Sequence, residues 1–208
     1  MAIDIGAHTG DTTVPMALAA GSAGLVLAFE PNQYVYKILE KNVALNPDST
    51  HIVPYCLAAT TEDGEFYFNY SDASFCNGGF LSQIKKKRHG HHYRLKVHGV
   101  NLQNFLLKNH KDDLKRLELI KIDAEGYDRE ILRSIPDILT AYKPNLLVEC
   151  YKRLNKEERH SLFDLITGYG YELFYLENFE NDGVKKKIEK EDMMLIQHFD
   201  MLALPRRT

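Results

Sequence analysis

Five acidic residues stand where apolar runs stop. Asp4 lies in "IDIGAHTGDTT" (3–13), Glu30 ends "GLVLAFE", Asp123 and Glu125 close "LELIKIDAEG", and Glu149 lies in "PNLLVECY". A carboxylate at such a position can accept hydrogen bonds from a pair of hydroxyls, take a proton as a general base, or hold a hard cation. Glu30 comes twenty residues after Gly10, the separation at which a strand-end acid meets both ribose hydroxyls of a nucleoside. Its plainer role would be a solvated acid at a helix start. Asp123 could cap the helix that follows, Glu125 could be an ordinary first-turn carboxylate, and Glu149 could simply accept an internal hydrogen bond.

These acids need a scaffold that brings strand ends together. In 3–13, Ile3 and Ile5 alternate around Asp4, Gly6 and Gly10 break the pattern, and Asp11, Thr12 and Thr13 suit a helix start, so the order is strand, glycine turn, helix. Such a turn presents bare backbone and the positive end of a helix to an anionic or polar ligand. The spacing is G-x-x-x-G rather than G-x-G-x-x-G, which disfavours NAD.

The same alternation continues along the chain. "VPMALAAG" reads as a short helix and "GLVLAFE" as a buried strand. Residues 33–45 form a helix with a stripe of Val35, Ile38, Leu39 and Leu45, and "HIVPYCLAA" is one extended segment. "DGEFYFNY" is a strand entered through the Asp63-Gly64 turn, 71–92 is loop-like, 93–98 is extended and 101–108 is helical. "LELIKID" and "PNLLVECY" are strands with one helix between them at 127–141. A helix at 155–168 precedes "YELFYLEN" and "DMMLIQHF", a closing antiparallel pair, with "KKKIEKED" as an exposed hairpin tip. Strands alternating with helices predict a mostly parallel α/β sheet whose ligands bind at the strands' carboxyl ends.

Composition sets the outer limits. The chain has 208 residues, 44% hydrophobic and 26% charged, enough for one core and one domain over 1–208. Net charge is −3, and no apolar run approaches the roughly 20 residues of a membrane span. The N-terminus lacks a signal layout. Cys56, Cys76 and Cys150 are too scattered for a disulfide framework or zinc ribbon, so a reducing, cytoplasmic compartment is expected, with Cys150 packed in a strand.

Taken together, "IDIGAHTGDTT", "AFEPN" and "IKIDAEGYDREIL" resemble the FkbM-type methyltransferases, a branch of the class I S-adenosylmethionine (SAM) enzymes. The resemblance runs from about residue 3 to about residue 150 and is most specific in the last stretch. It implies a Rossmann-like, mostly parallel seven-stranded sheet with an antiparallel last strand, SAM as methyl donor, and O-methylation of a sugar, glycan or other small-molecule hydroxyl. Carried onto this sequence, it implies that Asp4, Gly6, Ala7, His8 and Gly10 form the first SAM motif, that Glu30 holds the ribose, and that Leu57 and Ala58 border the adenine. His8 could instead bond the backbone of its own turn. Two features depart from the family pattern. "NLQNF" places Gln103 and Asn104 where acids are usual, and the chain begins almost inside its first strand, so N-terminal elements that often cover the acceptor are expected to be missing or removed.

A sulfonium donor already carries a good leaving group, so catalysis reduces largely to aligning and desolvating the acceptor oxygen and removing its proton. Asp123 or Glu125 could be the base or clamp an acceptor. Asp123 could alternatively hold Mg²⁺ that lowers the hydroxyl's pKa.

From Ala73 to Lys111 there is no acid, while Lys85, Lys86, Lys87, Arg88 and further cations crowd together. This basic insertion at about 71–111 would draw an anionic acceptor to the rim, or would be only a solvated loop. His89, His91 and His92 lack an acidic or cysteine partner at a recognised zinc spacing. An RNA methyltransferase using the basic span is the first alternative, though nothing there resembles an RNA-binding signature or a stacking platform. A non-catalytic nucleotide-binding module is the second.

Overall fold

A computed structural model describes residues 1–45, 47–70, 78–80, 93–176 and 186–206, with backbone alone at 78–80 and 93. The main sheet begins with β1 (Ala2–Ile5), β2 (Val26–Phe29) and β3 (Ile52–Tyr55), and continues with β8 (Leu119–Ile122) and β9 (Asn145–Cys150). β10 (Tyr171–Leu176), β11 (Lys186–Lys187) and β12 (Phe199–Pro205) complete it in the order β3-β2-β1-β8-β9-β12-β10-β11. The first five strands in that order are mutually parallel, and β12 lies antiparallel between β9 and β10. The expected mostly parallel sheet with an antiparallel last strand is thus present, with the two-residue β11 as an additional edge.

Both faces of the sheet are covered, as near-continuous apolar strands require. Ile3, Ile5, Leu27 and Phe29 point into the larger core with Ile120, Ile122 and Val148. Ala2, Val26 and Ala28 face the smaller one, under α1 (Thr13–Ala20) and α2 (Gln33–Val43). Helix α2 starts where the Asn32 side chain accepts the Tyr34 N–H, and it buries Val35 and Leu39. Ile38 and Leu45, expected on the same stripe, are exposed: Ile38 lies off that face, and Leu45 falls beyond the helix end.

A second sheet has the order β4-β7-β5-β6, from β4 (Ala58–Thr60), β5 (Gly64–Tyr70), β6 (Gly78–Phe80) and β7 (Tyr93–Asn101). "HIVPYCLAA" is therefore two strands in two sheets, separated at Cys56 and Leu57. Within the expected basic insertion, β6, β7 and α3 (Leu102–Asn109) are regular structure. Lys85, Lys86, Lys87, Arg88, Cys76 and the three clustered histidines lie outside the described residues.

Three further expectations are corrected. The helix at 127–141 is two helices, α4 (Asp128–Arg133) and α5 (Pro136–Ala141), because Pro136 drives Ile135 out of helical geometry. Residues 192–199 are not a strand: a short 3-10 helix spans Lys190–Met194 and β12 begins only at Phe199. Here Arg159, 3% exposed in α6 (Lys156–Gly168), donates to the carbonyls of Met193, Ile196 and Gln197, which removes them from any strand ladder. "KKKIEKED" is not a free tip either, since Lys186 and Lys187 pair with β10 and Ile188 is buried. Cys150 is fully buried in β9, as expected.

Candidate functional site

The glycine turn after β1 is fixed by the strands beside it. The N–H groups of Gly6 and Ala7 both donate to the Phe29 carbonyl at 3.0 Å. Gly6 has φ +77°, and a Cβ there would lie 2.0 Å from the Asp123 carbonyl oxygen, so only glycine fits the closest approach of turn and β8. Gly10 also has positive φ, and its missing side chain makes room for Leu39. His8 adopts φ +48°, uncommon for a side-chain-bearing residue, and thereby aims its N–H at Glu30 Oε2, 3.0 Å away.

Asp4 is fully buried beneath this turn. Its Oδ2 accepts from the hydroxyls of Thr12 (2.8 Å) and Thr13 (2.6 Å), so those threonines tie α1 to β1. Its Oδ1 faces Lys121 Nζ at 3.2 Å, a residue directly opposite in the parallel register. Lys121 also donates to the Gly6 carbonyl at 3.3 Å and lies 3.7 Å from Asp123 Oδ2. Burial works against its charge, but the carboxylates of Asp4 and Asp123 outweigh burial and hold its pKa above the ordinary lysine value.

Glu30 is 6% exposed. Its Oε1 accepts the Asn32 N–H at 2.8 Å and its Oε2 the His8 N–H. Burial pushes its pKa up to about 7, and those two backbone donors oppose the rise without cancelling it. Each carboxylate oxygen has a second lone pair, so Glu30 retains capacity for two hydroxyl donors.

The loop leaving β8 is held by a residue that the sequence reading did not single out. Asp128, 1% exposed, accepts the N–H groups of Ala124 (3.3 Å) and Gly126 (3.0 Å). It fixes a turn in which Glu125 and Gly126 both have positive φ. Burial, reinforced by Asp123, raises Asp128 to about 7. Asp123 is half-exposed at the head of this loop. Glu125 is raised by burial and by Asp123, with the neighbouring Tyr151 opposing the rise. Continuing the β8, β9 and β12 registers sets Asp123, Glu149 and Asp200 in one row along the sheet edge. Glu149 Oε1 lies 2.6 Å from His198 Nε2, and burial with the neighbouring carboxylates pushes Glu149 up to about 9. The internal hydrogen bond expected for Glu149 is this one.

A cavity of about 280 Å³ opens between the turn and the β8 loop. Of the sequence-predicted positions, Gly6, His8, Glu30, Leu57, Ala58, Asp123 and Glu125 line it. Asp4, Ala7 and Gly10 stand behind the wall: Asp4 and Ala7 are fully buried, and Gly10 packs against Leu39. Lys121, Phe68, Tyr70 and Tyr127 also line the cavity and were not anticipated. For Lys121 a signal existed, a lysine inside the apolar run "LELIKI" two residues before Asp123. Among the described residues, no group of three or more His, Cys, Asp or Glu side chains could hold a metal ion. Asp123 faces the Lys121 ammonium instead, so the Mg²⁺ considered as an alternative there finds no ligand set among the described residues.

Five parallel strands, an antiparallel strand set between β9 and β10, a glycine turn after β1 and an acid after β2 define a Rossmann-like methyltransferase fold. A family model described as the methyltransferase FkbM domain matches residues 4–173, and the chain belongs to that family. Among solved structures it is similar to the methyltransferase FkbM from Methylobacillus flagellatus KT, at 13% identity and a TM-score of 0.60, covering 97% of this chain and 42% of that one. The chain therefore spans less than half the length of that relative. Looser similarity links it to a SAM-dependent O-methyltransferase from Thermotoga maritima (14% identity, TM-score 0.47, covering 100% of this chain and 60% of that one). TrmK of M. capricolum in complex with S-adenosyl-homocysteine is looser still (13% identity, TM-score 0.42, covering 100% and 62%). No curated protein matches the chain. Among the described residues, no helix is long and apolar enough to cross a membrane.

Proposed function

We propose that this protein binds SAM in the cavity between the glycine turn and the β8 loop and transfers its methyl group to a hydroxyl of a sugar, glycan or other small-molecule acceptor. One observation carries the reading: a single cavity is bounded by a strand-end carboxylate with free lone pairs, Glu30, and by a half-exposed strand-end carboxylate, Asp123. The residues present fit such a donor, because the Gly6 turn leaves room for close approach and Glu30 can accept both ribose hydroxyls.

Bound there, SAM would supply an electrophilic methyl on a sulfonium leaving group. The protein's work is to position the acceptor and take its proton. Asp123, whose carboxylate the Lys121 ammonium holds from one side, would take the acceptor hydroxyl's proton. Glu125, with a raised pKa, retains a proton to higher pH than a free carboxylate and can donate a hydrogen bond to the acceptor. Phe29, Leu57 and Ala59 keep the donor side apolar and limit water.

The test is a labelled methyl-transfer screen across glycans, small polyols, lipids and RNA, run beside calorimetry with SAM. Asp123→Asn keeps the side chain's shape and removes its basicity, so turnover should fall while SAM affinity holds. Donor binding without turnover on any acceptor would favour the non-catalytic module, and preferred transfer to RNA would favour the RNA alternative.

A further inference from the structure

The second sheet lies outside the strand and helix alternation that builds the main one, yet it reaches the cavity. Side chains alternate along β5, so Phe66, Phe68 and Tyr70 share one face and Tyr67 takes the other. Tyr67 is 42% exposed beneath the Arg94 guanidinium, 3.9 Å from its ring centre. Phe66 lies over Gly99 of β7 so closely that a Cβ there would come within 2.5 Å of the ring. That contact sets the pitch of the inner face. Along the same face, Phe68 and Tyr70 line the cavity that Gly6, Glu30, Leu57 and Ala58 also line. Tyr70 is 3% exposed and lines the cavity together with Glu30. An aromatic wall and a carboxylate suited to a vicinal diol therefore line the same cavity.

A flat heteroaromatic base joined to a ribose complements both features at once. We infer that β5 supplies the wall against which the donor's adenine packs, with Phe68 as the stacking ring and Tyr70 closing the side next to Glu30. This rests on the SAM reading above and assigns the accessory sheet to the donor rather than to the acceptor. Stacking a base on an aromatic side chain is worth about 1–3 kcal/mol, which corresponds to roughly 5- to 150-fold in affinity.

Calorimetry of the full chain with S-adenosyl-homocysteine and, separately, with adenosine tests this directly. Phe68→Ala should weaken both ligands within that range, Phe68→Tyr should restore most of the affinity, and Tyr67→Ala on the outer face should change neither. If Phe68→Ala does not fold, Phe68→Leu keeps apolar bulk without a π face and should still weaken both ligands several-fold. Unchanged affinity for S-adenosyl-homocysteine in Phe68→Ala, or in Phe68→Leu where that variant is used, overturns the inference. So does a loss confined to S-adenosyl-homocysteine with adenosine binding intact. If the unmodified protein binds neither SAM nor S-adenosyl-homocysteine, the SAM reading falls and this one with it; unaltered binding in the variants removes this one alone.

Discussion

The buried Asp4 and Lys121 pair makes the sharpest test of how the site is held. The carboxylate has no exposed surface, Lys121 is 5% exposed, and the ammonium is the ion facing Oδ1 at 3.2 Å. Lys121→Met keeps the stem and deletes the charge, which strands Asp4 in the sheet with only two hydroxyl donors on Oδ2. Removing one partner of a buried ion pair costs about 3–5 kcal/mol, because the remaining charge keeps its desolvation penalty. Asp4→Asn should also destabilise, since Lys121 then has only the more distant Asp123 and the Gly6 carbonyl. The double variant should lose well under the sum, because no uncompensated Asp4 charge remains. Chemical denaturation of the four proteins measures the cycle. The raised Lys121 pKa sets the pH window: its contribution is complete below the unfolded lysine value of about 10.4 and fades only as pH rises through the folded value. The cost of Lys121→Met should therefore be the same at pH 7 and pH 9. A loss below about 1 kcal/mol, or strict additivity of the two single changes, would refute the assignment.

Three other expectations follow from named contacts. Gly6→Ala should destabilise by more than the roughly 1–2 kcal/mol of left-handed strain, because its Cβ meets a backbone carbonyl, whereas Gly10→Ala meets the flexible end of Leu39 and should cost less; thermal melts rank the two. SAM affinity should rise with pH through about 7 as Glu30 becomes the carboxylate that accepts hydroxyls, and Glu30→Gln should bind about 1–3 kcal/mol more weakly without that dependence; calorimetry across pH 6–8.5 would expose a flat profile in the unmodified protein as contrary. Glu30, Asp128 and Glu149 all have folded pKa values above their unfolded ones, so as far as they are concerned stability should be greatest below the unfolded values of 3.8 for Asp128 and 4.5 for the glutamates and fall as pH rises; above about 7.5 the remaining slope belongs to Glu149, and Glu149→Gln should flatten it in denaturation curves.

What the sequence disclosed follows periodicity and punctuation. The main strands and α2 were legible because β1, β2, β8 and β9 are apolar runs cut off by acids or glycine, and because Asn32 starts a helix in a recognisable way. The strand-end carboxylates came with them, since Glu30 and Asp123 are the residues that stop those runs. Roles set by long-range contact were not legible. Lys121 matters because Asp4 faces it across the sheet, 117 residues away in sequence, and no local pattern encodes that register. Arg159 looks like an ordinary helix cation, but its guanidinium is spent on five backbone carbonyls, including those of Leu154 and Tyr151. The strand expected at 192–199 failed for that reason: the apolar residues are there, but their carbonyls already have donors. Phe68 and Tyr70 read as ordinary strand aromatics, because their place in the cavity depends on how a second sheet meets the first.

The acids at the sheet's carboxyl edge have a common physical logic. Glu30, Asp128 and Glu149 each sit where burial disfavours their charge, and none has a lysine or arginine within ion-pair distance among the described residues. Backbone N–H groups hold Glu30 and Asp128 instead, and an imidazole holds Glu149. A lysine or arginine would have relieved the strain more completely, but it would also have occupied lone pairs and brought positive charge to a pocket proposed to receive a sulfonium. Lys121 is the exception that fits the rule, because Asp4 on one side and Asp123 on the other absorb its charge at the floor of the cavity. Glu30, restrained by neutral donors, keeps its remaining acceptor capacity and gains negative potential as pH rises through about 7. That arrangement lowers the stability of the unliganded fold, and it suits the edge to the cationic donor and hydroxyl acceptor proposed for it.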